Sequence, residues 1–209
     1  MIDKAEDVLR NWPGDFVQRG QDPMAWSYQA EILKSAARAV LRQAKEDRTT
    51  GVIAERWVDA VYKSLVGTAL ENLLKAIMVR NDKSLIGKNK GVYKIADELK
   101  HHDIWSLYAN NDARLQNVVA DDGTKQVTKE VLSKDEQDLL GVVEDYVIWI
   151  GRFPIATNET AFMKNIDSVK NSELASLSLD EFDALFEATY MKLMSLAMGV
   201  NLKKTSMPL

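Results

Sequence analysis

The chain has 209 residues, 46% of them hydrophobic and 28% charged, which is enough for one domain with its own core and too apolar for disorder throughout. It has no cysteine, which excludes disulfides, thiolate metal sites and a cysteine nucleophile. Its formal net charge of −4 counts against broad nucleic-acid binding, which draws on a basic excess, but leaves room for a local basic patch.

The first residues, MIDKAEDVLR, are charged and lack the apolar run of a signal peptide. No stretch reaches the roughly 18 uninterrupted apolar residues of a membrane span. The expectation is a cytoplasmic protein that does not enter a membrane.

The spacing is helical almost throughout, and no strand alternation stands out. A short helix is predicted over residues 3–11, then a loop over 12–22 holding Pro13, Gly14 and Gly20. A long helix follows from Pro23, whose missing N–H costs nothing in a first turn, to about residue 47. Tyr28, Ile32, Leu33, Ala36, Val40 and Leu41 form its apolar stripe, and residues 48–51 break it.

The clearest helix is predicted over residues 52–80, where Trp57, Val58, Val61, Tyr62, Leu65, Val66, Ala69, Leu70, Leu73, Leu74, Ile77 and Met78 recur at helical steps. Residues 81–91, NDKSLIGKNKG, read as a mobile basic loop. Short helices are predicted over 92–100, over 103–110 with Asp103 as N-cap, and over 112–120, followed by a turn at 121–123. Capping boxes at Ser133–Glu136 and Ser178–Glu181 start helices running to about residues 150 and 200. Gly151 and Pro154 end the first of these, residues 158–177 are a connector, and 201–209 are a frayed tail. The whole is an all-α, up-down helical bundle with appended short helices, one domain over residues 1–209.

Few residues carry chemistry. Arg152 ends an apolar helix, where it either satisfies terminal carbonyls, the commoner use, or contacts an anion beside Trp149. His101 and His102 are neighbours, so on a helix they point apart and do not share one metal or substrate atom. Either could act as a base near neutral pH, although most histidines do not. Glu98-x-x-His101 has the spacing of a di-iron bundle ligand pair, but with only 2 His in the chain the second such pair is missing. Glu71 and Lys75 stand in the favourable order for a surface ion pair, the preferred reading, with a semi-buried groove as the alternative. The run Gly87-Lys-Asn-Lys-Gly91 lacks the full phosphate-loop pattern. Met191, Met194 and Met198 are read as core filling, and the Trp residues, Trp105 included, as core or groove walls.

Three segments, ALENLLKAI at 69–77, HDIWSL at 102–107 and residues 136–154 ending in Arg152-Phe153-Pro154, occur in an order that resembles the HEPN superfamily of helical nucleotide-binding domains. The resemblance covers about residues 52–155, with a further helix at about 179–200. Ribonuclease members carry an Arg shortly followed by a His, whereas no His follows Arg152. The resemblance therefore implies a non-catalytic interaction or ligand-binding module of a defence or stress system. It would bind a nucleotide, RNA or partner protein in a groove near Glu71, Lys75, His101, His102, Trp105, Trp149 and Arg152, without metal or cofactor. It also implies a homodimer and a nucleotidyltransferase-type partner. The alternative is a metal-independent ribonuclease using Arg152 and His102.

Overall fold

The computed structural model describes residues 17–50, 55–89, 92–115, 118–119, 125–126, 132–147, 174 and 177–199. The predicted helix at 3–11, the turn at 121–123, most of the connector, the tail, Trp149, Gly151, Arg152 and Pro154 lie outside them. Among the described residues the fold is all-α, as expected, with two small hairpins.

Helix α1 (Pro23–Thr50) begins as its sequence dictates, with Asp22 Oδ1 accepting the Met24 N–H at 2.9 Å. Its buried face differs from the predicted stripe. Ser27, Ala30, Lys34, Ala37 and Leu41 are buried, whereas Ile32 is exposed and Tyr28 is 70% exposed. Counting apolar residues misses this face because small residues and a lysine make it. The small side chains let α1 lie close against the helix that follows it, and the Lys34 stem is buried while its ammonium reaches Glu187 at 2.8 Å.

Helix α2 (Glu55–Asn81) is the central element, touching α1 and the three later helices that start at Ile104, Lys134 and Leu179. Contact on several sides explains why residues 73–79 are all buried rather than forming one stripe. Gly67 permits the closest approach, since a Cβ there would lie 2.5 Å from Val147 Cγ2 and 2.9 Å from the Val143 carbonyl oxygen.

The predicted loop at 81–91 and the start of the predicted helix at 92–100 instead form a hairpin. A 3-10 turn (Lys83–Leu85), capped by Asp82, leads into β1 (Ile86–Asn89), which pairs antiparallel with β2 (Val92–Ile95) in the register Ile86↔Ile95. Val92, Tyr93 and Ile95 favour extended backbone, which overrides the short apolar spacing read as helical. A two-stranded hairpin is marginal alone, and buried Leu85 and Ile86 anchor this one to the core. Gln21 adds side-chain bonds to the Lys83 and Ile86 carbonyls at 3.1 and 2.5 Å.

A single turn, α3 (Asp97–Lys100), precedes α4 (Ile104–Leu115), whose N-cap is Asp103 as expected, its Oδ1 accepting the Ser106 N–H at 2.7 Å. In place of a helix reaching residue 120, Val118–Val119 (β3) pairs with Lys125–Gln126 (β4). Both capping boxes form, at the starts of α5 (Lys134–Asp145) and α6 (Leu179–Met198). Gly199 closes α6 in the left-handed conformation at φ 72°.

Helix α6 seats Phe182, Phe186, Tyr190 and Leu193 in the core. Met191 is 56% exposed and Met198 is exposed as well, so of the three methionines expected in the core only Met194 packs against it. Position 191 is turned about 100° from buried Tyr190, and the aromatic face occupies the space instead. Polar contacts fix α6 to α1 and α2. Arg38 reaches Glu187 at 2.7 Å, and the Tyr190 and Tyr62 hydroxyls donate to Glu31 at 2.7 Å and Asp183 at 2.5 Å. Burial, then these carboxylates, push both phenols well above their usual range, so they remain donors.

Candidate functional site

Two elements build the site, the middle of α2 and the segment from His101 into α4. On α2, Glu71 and Lys75 stand one turn apart and pair at 2.6 Å. They are 3% and 5% exposed, so the preferred surface-pair reading is wrong. The contacts that bury α2 on several sides also bury this polar pair.

Glu71 Oε1 carries a second bond, to His102 Nδ1 at 3.0 Å. A carboxylate only accepts, so this contact fixes the hydrogen on Nδ1 in the neutral ring and leaves Nε2 as the acceptor nitrogen. The His102 side chain is 41% exposed, so the network runs from the core to solvent through one imidazole. Glu71 Oε2 is buried with no hydrogen-bond partner among the described residues.

His101 does not join this network. It is exposed at the end of α3, where the chain is extended with φ −79° and ψ 152°, so the argument from helical neighbours does not apply to the pair. Its influence falls on Asp97 and Asp103. Trp105, in the first turn of α4, is 46% exposed, with its ring 5.8 Å from that of Tyr108. It is therefore not a core residue. Thus Glu71, Lys75 and His102 come together, and Trp105 lies three residues beyond His102. Trp149 and Arg152 lie outside the described residues.

Sequence reasoning missed two residues. Asn111 is fully buried on α4, and its amide donates to the Leu74 carbonyl oxygen of α2 at 3.1 Å. Its signal was a polar residue one turn after Leu107, on the buried side. Glu144 accepts the Trp105 N–H at 2.6 Å and lies against Asp103. Its signal was an acid in the last turn of a helix, where the dipole disfavours one. Burial foremost, and then Asp103, push Glu144 up to about 7, against the pull of the Trp105 N–H. Burial also pushes Asp103 up, but its bonds from Ser106, with Glu144 and His101, hold it below the usual carboxylate range.

Among the described residues, no group of three His, Asp or Glu side chains is placed to hold a metal, and no helix is long and apolar enough to cross a membrane. Comparison with protein-family models, curated proteins and solved structures gives no match in any of the three.

Proposed function

We propose that this chain is a HEPN-like, non-catalytic binding module of the cytoplasm. The surface where α2 and α4 meet takes a nucleotide, an RNA end or a partner surface. One observation carries the reading: Glu71 of the first motif segment and His102 of the second meet at 3.0 Å, with Lys75 on the same carboxylate oxygen. A buried pair of this kind is weak as a device for stability, because desolvation offsets its attraction. An imidazole fixed in one tautomer at the surface is suited to recognising a polar ligand, and exposed Trp105 is suited to stacking on a base. Arg152 is assigned the anion contact and Trp149 a second wall. A homodimer and a nucleotidyltransferase-type partner belong to the same proposal.

The carboxylate–imidazole contact also favours a second reading, a metal-independent ribonuclease. Glu71 would orient His102 as general base and Arg152 would stabilise the developing charge. Incubation of labelled tRNA and single-stranded RNA with wild type, His102→Ala and the Arg152→Ala/His102→Ala double variant separates the two. Binding without cleavage, weakened in the variants, is expected. Cleavage by wild type alone makes the ribonuclease reading correct. RNA binding unchanged in both variants rejects the site.

A further inference from the structure

The start of α4 is held by two carboxylates from different places in the chain. Asp103 takes the Ser106 N–H at 2.7 Å and the Ser106 hydroxyl at 2.7 Å. Glu144, at the end of α5, takes the Trp105 N–H at 2.6 Å. The two carboxylates thus accept from adjacent backbone N–H groups of one turn, which sets them side by side, and each bears on the other's ionisation. Two ionised carboxylates so placed repel, whereas one proton between them makes a bond.

We propose that Asp103 and Glu144 share one proton that latches the start of α4 to the end of α5, and that losing this proton loosens the joint.

The surroundings fit. Asp145 adds negative charge beside Glu144, and His101 draws Asp103 down. From α2, Lys63 and Asp59 act on Tyr146, one residue past α5. The α6 cation that reaches α5, Lys192, bonds Glu136 in the opposite turn of the helix at 2.6 Å. With Asp103 held ionised by Ser106, the shared proton resides on Glu144. Because His102 directly precedes Asp103, opening the latch displaces the imidazole relative to Glu71. That coupling rests on the proposed α2–α4 site, whereas the latch itself does not.

The test is a carboxyl NMR titration of wild type labelled with 13C glutamate, alongside amide exchange at Trp105. One glutamate should titrate at about 7 rather than at the ordinary 4.5. Protection of the Trp105 amide, corrected for intrinsic exchange, should fall up to about tenfold per pH unit between 4.5 and 7 and then level off. Glu144→Gln keeps an acceptor for Trp105 and a donor for Asp103, so it should abolish both transitions. Every glutamate titrating in the ordinary range overturns the latch, and this result needs only wild type. A Trp105 transition that persists in Glu144→Gln also overturns it and assigns the effect to the histidines. Neither readout involves RNA, so the latch and the proposed function fail separately.

Discussion

Glu71 and His102 are 31 residues apart in the chain, yet Oε1 of one lies 3.0 Å from Nδ1 of the other. The contact joins α2 to the stretch just before α4. It puts a buried carboxylate, already paired with Lys75, behind an imidazole that faces solvent. It also makes the Glu71–Lys75 pair part of a relay rather than an isolated i,i+4 bridge.

Removing one partner of that pair leaves a buried charge uncompensated. Lys75→Met should cost about 3 kcal/mol of stability by urea denaturation. The Glu71→Gln/Lys75→Met double variant should recover most of that loss. Strict additivity of the two single effects would contradict the coupling.

Two glycines should respond in opposite ways. Gly67→Ala forces a methyl against Val147 and the Val143 carbonyl and should lose about 1–3 kcal/mol, despite the better helix former. Gly141→Ala, at an exposed position of α5, meets nothing within 4 Å and should gain about 0.5–1 kcal/mol. Denaturation midpoints of the two variants check the α2–α5 approach directly.

The core face of α6 can be tested in the same way. Phe186→Ala should lose about 3–5 kcal/mol and Met191→Gln should stay within about 0.5 kcal/mol of wild type. Equal losses would return Met191 to the core.

How far the sequence could be read follows from such positions. The capping boxes at Ser133 and Ser178 and the cap at Asp103 were legible because each is a local bond set by a few neighbouring residues. The buried face of α1 was not, since Ala30, Lys34 and Ala37 carry little apolar signal and depend on the neighbours α2 and α6. The first hairpin was hidden because its strands span four residues each and owe their stability to Leu85 and Ile86 docking on the core. At the site, residue types singled out Glu71, Lys75 and His102, but burial of the pair follows from four helices meeting on α2. Glu144 acquires its role only when α5 is laid against α4.

Glu144 also sets a pH dependence whose sign is fixed. Its pKa in the folded protein is raised, to about 7 from 4.5, so its stabilisation is fully present below 4.5 and is lost as pH rises through about 7. Glu144→Gln does not titrate, and its advantage over wild type in denaturant midpoint should grow across that window and then stay constant. An advantage that is the same at both ends would mean that Glu144 has an ordinary pKa.

The most direct measurement of the central claim is an NMR titration with a short single-stranded RNA, following the His102 imidazole and Trp105 indole signals. The α2–α4 site predicts that both shift and saturate together, and that Glu71→Gln weakens the response. Saturable binding that leaves His102 and Trp105 unmoved would place recognition elsewhere and contradict the account.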